Sequence, residues 1–264
     1  MKPLNYKDVE ENIISFLKKH AQDAQKKGYV VGVSGGVDSA VVSTLAAKSG
    51  LKLYLIQMPI RQKSDEVGRA ELHIDWLTNK FSNVSSLTCD LTPTFDCMIS
   101  SFEKHEDKEH QHMTEANTRA RLRMTTLYYY ASIKDCLVLG TGNKVEDYGI
   151  GFFTKYGDGG VDISPIGDLL KSEVRELGRY MGVSNVIIEA KPTDGLWDDG
   201  RGDEDQIGAT YNELEWAMEF LSSKNYNESS MLSKRQKDVL EIFIKRNVAN
   251  KHKNCMPPVC EIKR

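Results

Sequence analysis

The chain reads as an α/β protein: a doubly wound, mainly parallel sheet flanked by helices. Three observations predict it. Short apolar runs alternate with longer stretches of helical periodicity, the pattern of strands crossed over by helices. A serine–glycine turn joins the first apolar run to a helix, at the sheet edge where such folds bind ligands. The 264 residues, 40% hydrophobic and 28% charged, suit one sizeable core.

The elements follow in order. Val9, Ile13, Phe16, Leu17 and Ala24 recur at helical spacing, so the chain opens with a helix. Tyr29 to Val33 is the first strand and Val37 to Lys48 the helix after it. Leu53 to Gln57 is a second strand, ended by Pro59. Ser64 caps a helix running to about Asn79, with Asp65 and Glu66 in the first turn, where the helix dipole favours carboxylates. Val84 to Cys89 is a third strand. A helix from about Thr114 to Ser132 precedes a fourth, Cys136 to Leu139. After Gly140 the texture changes. Gly149 to Gly160 holds five glycines in twelve residues, which predicts a mobile loop rather than regular structure. Further helices are expected near Lys171 to Met181, Tyr211 to Leu221 and Arg235 to Arg246. Residues 103–113 and the acidic, glycine-rich 194–206 are expected as flexible loops. With no internal repeat or linker, 1–264 is taken as a single domain.

Composition excludes several classes of partner. The formal charge of -3 provides no basic surface for nucleic acid. The opening segment is charged from Lys7 to Glu11 and lacks a secretory apolar region, and no apolar run approaches the roughly 20 residues of a membrane span. Cys89, Cys97, Cys136, Cys255 and Cys260 form no CxxC pair. The expectation is a reduced, cytoplasmic protein with no membrane and no nucleic-acid partner. His105, His110 and His112, among Glu106, Asp107 and Glu109, lie in the 103–113 stretch, which has no apolar framework to fix metal geometry. They are read as solvated.

Chemistry concentrates in three places. The first is Gly32-Val33-Ser34-Gly35-Gly36-Val37-Asp38-Ser39. Backbone N–H groups approach an anion closely only where side chains are absent, and the following helix start adds partial positive charge. No lysine follows the glycines, so this is not a P-loop. Asp38 stands there instead, and a carboxylate beside phosphates calls for a divalent cation between them. The turn therefore reads as a Mg²⁺–nucleotide site. The second place is Gly140-Thr141-Gly142-Asn143-Lys144-Val145-Glu146, emerging on the same sheet edge. Thr141 could bond an adenine or ribose, and Glu146 could give the metal a second oxygen. The third is Gly151 to Asp162, with glycines for closure and Phe152, Phe153 and Tyr156 for stacking, read as a substrate lid over 151–162. On the helix before the fourth strand, Arg119, Arg121 and Arg123 diverge by about 200° per step of two. One or two of them face an anion; spacing does not choose which.

The SGGVDS turn resembles that of ATP pyrophosphatases, which split ATP into AMP and pyrophosphate. The order SGGVDS, NTRARLRM, GTGNKVE, GFFTKYGDGGVD, KPTDGLW and Lys251-His252-Lys253 is similar to the NAD synthetase family over about Val9 to Lys253. SGGxDS alone is shared with GMP and asparagine synthetases and tRNA-modifying enzymes; GFFTKYGDGG is far more specific. The resemblance implies the adenine nucleotide alpha hydrolase-like fold and ATP-dependent amidation of deamido-NAD⁺ through an adenylate. The glutamine-dependent branch adds an N-terminal amidase domain, whereas this chain opens on the synthetase domain, implying ammonia as donor. It further implies that Gly32 to Ser39, Thr141, Lys171 and Thr193 (in Lys191-Pro192-Thr193) contact ATP, with Asp38 and Glu146 on Mg²⁺. Arg121, Lys155, Asp162, His252 and Lys253 would contact deamido-NAD⁺. Asp158, Lys155 and Lys171 would serve the chemistry, Asp158 in placing or deprotonating ammonia. A homodimer is implied by resemblance alone. Two departures stand out: Gly151 follows Glu146 by five positions where many members have four, and Pro59-Ile60-Arg61-Gln62 differs from the usual adenine-pocket form. Asp147 is thus a second claimant to the metal role. The rival readings are another ATP pyrophosphatase acting on tRNA, which calls for a basic surface or catalytic cysteines, and a nucleotide sensor without turnover.

Overall fold

The computed structural model describes residues 4–62, 64–193, 202–223 and 231–262. Its centre is a four-stranded sheet of β1 (Gly28–Gly32), β2 (Lys52–Gln57), β3 (Val84–Thr88) and β4 (Leu137–Val138). The order is β3-β2-β1-β4 and all pairings are parallel, with Val30 opposite both Tyr54 and Val138. β4 is shorter than the apolar run suggested; Leu139 continues it only as a single bridge to Ile163. β1 is buried on both faces, which is why its sequence is an unbroken apolar run rather than an alternating one.

Helices cover both faces. α1 (Tyr6–Asp23), α2 (Val37–Lys48), α3 (Ser64–Lys80) and α6 (Lys171–Met181) enclose a core around Leu17, Val31, Leu45, Leu55, Leu77 and Leu177. The opposite face carries α4 (Thr92–Ser100) and α5 (Lys108–Lys134), packed through Phe95, Ala131, Val30 and Ile56. A third cluster, distal to the sheet, joins Val145, Ile150, Tyr211, Leu214 and Phe243. It unites a π-helix at Lys144–Ile150 with α9 (Tyr211–Ser222) and α10 (Lys234–Asn250). The short α7 (Asn185–Ile188) and α8 (Asp203–Ile207) complete the chain, with a 3₁₀ turn at Lys251–Asn254. Among the described residues no helix is long and apolar enough to cross a membrane.

Three expectations need correction. The expected 103–113 loop ends at residue 107, whose side chain caps α5 by accepting from the Glu109 and His110 amides at 2.8 and 3.0 Å. His110 and His112 therefore stand on the first turns of a helix. Of the expected 194–206 loop, 194–201 lie outside the described residues, while Asp203 onward is helical. The five-glycine stretch begins inside the π-helix, because Gly149 and Ile150 close its last turn. α4 was not foreseen.

Candidate active site

The carboxyl ends of β1 and β4 bring the first two motifs together. After β1 the chain turns at Gly35, whose φ of +86° lies in the left-handed region. A Cβ there would stand 2.6 Å from the Glu66 carbonyl oxygen, so only glycine lets the turn pack on α3. The turn is closed by its own hydroxyls. Ser39 Oγ donates to the Gly36 carbonyl at 2.9 Å, and the Gly36 amide donates to Ser34 Oγ at 3.3 Å. Val33 and Val37 are buried and anchor the turn from both sides. Gly36 then caps α2 without a side chain, which leaves the helix start open to an anion.

Asp38, in the first turn of α2, faces Lys171 at the start of α6 and Glu146 in the π-helix. Lys171 Nζ donates to Asp38 Oδ2 at 2.5 Å and to Glu146 Oε1 at 2.9 Å. All three side chains are nearly out of water: 5% of Lys171, 16% of Asp38 and 15% of Glu146 is exposed. Asn143 ties the parts together. Its Nδ2 donates to Asp38 Oδ1 at 3.3 Å, and its Oδ1 accepts from the Val145 and Glu146 amides at 3.1 Å each. The Tyr211 hydroxyl donates to Glu146 Oε1 and lies 3.3 Å from Asp203 Oδ2.

The electrostatics follow from burial opposed by pairing. Burial works against the Lys171 ammonium, yet the Asp38 and Glu146 carboxylates prevail and hold its pKa above the ordinary lysine value. Burial raises Asp38, against the pull of Lys171. Burial also opposes ionisation of Glu146, but Lys171 and the Tyr211 hydroxyl outweigh it and lower its pKa. Asp147 is pushed up to about 8 by burial, and then by Glu146, Asp158 and Asp38, with Lys171 pulling the other way. Asp38 and Glu146 are the two acids that meet on the Lys171 ammonium. The site sets two carboxylates against one ammonium, that of Lys171, with the Asn143 amide donating to Asp38. Its all-oxygen carboxylate donors fit a hard divalent ion such as Mg²⁺.

The lid residues form a second assembly. Lys155 Nζ donates to the His252 and Cys255 carbonyls at 2.6 and 3.2 Å, and Arg121 Nε to the Lys155 carbonyl at 3.4 Å. Lys253 Nζ donates to the Gly151 and Phe153 carbonyls at 2.9 and 2.7 Å. The structure thus gathers Arg121, Lys155, His252 and Lys253 in one place. Asp162 works at the end of the lid, where it accepts from the Val138 amide at 2.8 Å and the Tyr128 hydroxyl at 3.0 Å, fastening the loop to β4. Asp158 Oδ1 accepts from the Thr154 amide at 2.9 Å; although the residue keeps an exposed edge, close packing around its carboxyl raises the pKa. Thr141 is half-buried and Thr193 exposed; residues 194–197 of the KPTDGLW segment lie outside the described residues. Asn143, Tyr211 and Asp203 were not singled out from sequence, and only Asn143, inside the GTGNKVE segment, carried any signal.

A parallel sheet with a serine–glycine turn opening a helix and a buried Asp38–Lys171–Glu146 cluster at its carboxyl edge has the layout of an α/β nucleotide-binding protein. The comparisons with known proteins make this specific. The family model for NAD synthase matches residues 9–257, and the chain belongs to that family. It is 39% identical to the NH(3)-dependent NAD(+) synthetase of Carboxydothermus hydrogenoformans, over 80% of this chain and 85% of that one. To the enzyme of the same name from Fusobacterium nucleatum it is 34% identical, over 99% and 98%. In solved structures, the NMN synthetase of Francisella tularensis superimposes with a TM-score of 0.85 at 31% identity, covering 98% of this chain and all of that one.

Proposed function

We propose that the protein amidates deamido-NAD⁺ to NAD⁺ with ammonia, splitting ATP to AMP and pyrophosphate: a ligase forming a carbon–nitrogen bond. The observation that carries this reading is the convergence of Asp38, Glu146 and Lys171 beside the Ser34–Ser39 turn. A carboxylate is a poor acyl donor, since its leaving group would be an oxide. Its oxygen therefore attacks the α-phosphorus of ATP, pyrophosphate leaves, and an acyl-adenylate remains. The ammonia nitrogen then attacks the carbonyl carbon and AMP departs.

The chain's own residues serve each requirement. The Gly35–Gly36 amides and the α2 start bind phosphate oxygens. Lys171, held by two acids, offers a fixed positive charge to the phosphates as charge develops on them. Asp38 and Glu146 would hold Mg²⁺, which when bound neutralises phosphate charge. Arg121, Lys155, Asp162, His252 and Lys253 would bind the dinucleotide acid, and Thr141 and Thr193 the nucleoside part of ATP. Asp158, with its raised pKa, suits a group that accepts a proton from ammonium. The 151–162 loop would keep water from the adenylate. A homodimer belongs to the same proposal, and α5 exposes Tyr129 and Ile133 one turn apart; sedimentation reads that state.

The test is pyrophosphate release and NAD⁺ formation from ATP, Mg²⁺, ammonium and deamido-NAD⁺. Glutamine serves as the alternative donor, and the mononucleotide acid as the alternative acceptor suggested by the Francisella relative. Turnover with ammonium and the dinucleotide, abolished by Asp38→Ala, supports the reading. Pyrophosphate release that ignores the dinucleotide acid sinks it.

A further inference from the structure

The turn that carries Glu146 is held from a distance. Lys144–Ile150 is a π-helix, a form seen mostly as single turns and frequently at functional sites. Its last carbonyls have no partners within the turn. The Glu146 carbonyl is met by the Gly151 amide, in i→i+5 register, and by the Phe152 amide at 2.8 Å. The others are met by side chains from the end of the chain. Asn254 Nδ2 donates to the Asp147 carbonyl at 2.8 Å, Asn247 Nδ2 to Gly149 at 2.6 Å, and Asn250 Nδ2 to Ile150 at 2.9 Å. Positions 247, 250 and 254 follow helical spacing, so one face of α10 and the turn after it presents three amides in a row. The packing leaves no slack. Gly151, at φ +63°, ends the π-helix where a Cβ would lie 2.3 Å from Asn250 Cβ.

We propose that Asn247, Asn250 and Asn254 are positioning residues for the cation-binding acid. They hold Lys144–Ile150 in i→i+5 register and so set where the Glu146 carboxylate stands relative to Asp38 and Lys171. The inference rests on reading Asp38 and Glu146 as the cation pair. An α-helical turn over the same residues would leave one residue over, and each position of register turns a helical side chain by about 100°. Such a turn carries Glu146 off the Lys171 ammonium. The five-position step from Glu146 to Gly151 is the room that the wider turn fills.

The test uses Asn247→Ala, Asn250→Ala and Asn254→Ala in the full chain, with two readouts besides turnover. Amide exchange across 144–151 reports the turn; Mn²⁺ binding by electron paramagnetic resonance, with a non-hydrolysable ATP analogue present, reports the acids. Losing a half-buried amide partner should accelerate exchange by roughly tenfold and weaken Mn²⁺ by a similar factor for Asn247→Ala and Asn250→Ala. Asn254→Ala, whose bond is exposed, should show a smaller effect of the same sign, and it keeps the test open if the other two fail to fold. Affinity for the analogue without metal should not change. Faster exchange with unaltered Mn²⁺ affinity overturns the proposal, as does unaltered exchange. Asp38→Asn and Glu146→Gln are the separate control: if neither weakens Mn²⁺, the reading of the cation pair fails rather than the clamp.

Discussion

Replacing Lys171 with methionine isolates the charge balance of the site. The ammonium lies 2.5 and 2.9 Å from two acids whose side chains are about one-sixth exposed. At an effective dielectric constant of about 20, each contact is worth roughly 6 kcal/mol of gross attraction, most of it offset by desolvation. Removing one member of such a cluster leaves the others buried without compensation, at a cost of about 3–5 kcal/mol. For a chain of this size that lowers the melting temperature by roughly 6–20 °C. The deficit should depend on pH. Without Lys171, burial and mutual repulsion raise both carboxylates above their unfolded values, so the folded state binds more protons. Stability is then lost as pH rises and recovered on acidification. Calorimetry at about pH 8 and about pH 5 should show the larger deficit at the higher pH. Millimolar Mg²⁺ should narrow it at both, by binding only the folded state. Adding Asp38→Asn and Glu146→Gln to Lys171→Met should restore most of the lost stability, since no buried charge is then left alone. A melting temperature within a degree or two of the parent at the higher pH would refute the reasoning.

Other outcomes follow from single contacts. Asp147, raised to about 8 when folded, binds a proton that the unfolded chain releases near 4; it therefore erodes stability as pH climbs between those values, by up to about 1.4 kcal/mol per unit. Asp147→Asn should flatten that slope in denaturant titrations without magnesium, with no gain below about pH 4. Gly35→Ala meets the Glu66 carbonyl and a left-handed φ, so the phosphate turn must shift; KM for ATP should rise about tenfold or more in steady-state assays while the fold survives. Thr210→Ala removes the hydroxyl that accepts the Glu213 amide at the α9 cap and should cost about 1 kcal/mol in a urea melt. Glu213 is held at about 2 by its bond to Arg235, so the stability that pairing adds is present above the ordinary glutamate pKa and lost as pH falls towards 2. Arg235→Met should accordingly be most damaging near neutrality and harmless in acid.

What was legible in the sequence was local. β1 announced itself because burial on both faces makes it a continuous apolar run, and Ser34-Gly35-Gly36 follows it directly. The π-helix was illegible because its stabilising partners lie about a hundred residues away: nothing in Asp147-Tyr148-Gly149-Ile150 announces that Asn247, Asn250 and Asn254 answer its carbonyls. α4 was hidden for a related reason. Only Phe95 of its nine residues is buried, so a periodic stripe was never required. The start of α5 was missed because its first turns are polar on every side, although the cap at residue 107 was in plain sight. Tyr211 reads as an ordinary core aromatic, and only its placement beneath Glu146 gives the hydroxyl a task.

The lid and the chain end also constrain how a substrate could enter. Lys155 donates to carbonyls of the C-terminal turn, and Lys253 donates back to carbonyls of the lid, so each segment holds the other by an ammonium on neutral oxygen. If these lysines serve the dinucleotide, binding must exchange carbonyl oxygens for anionic ones. Bonds between two charged partners are shorter and roughly twice as strong as neutral ones, so that exchange favours the ligand. Burial lowers the Lys253 pKa, and an arriving phosphate or carboxylate would act against that shift. On this geometry substrate binding and loop order are one equilibrium. A ligand without an anion has nothing to offer in exchange for the carbonyls it must displace.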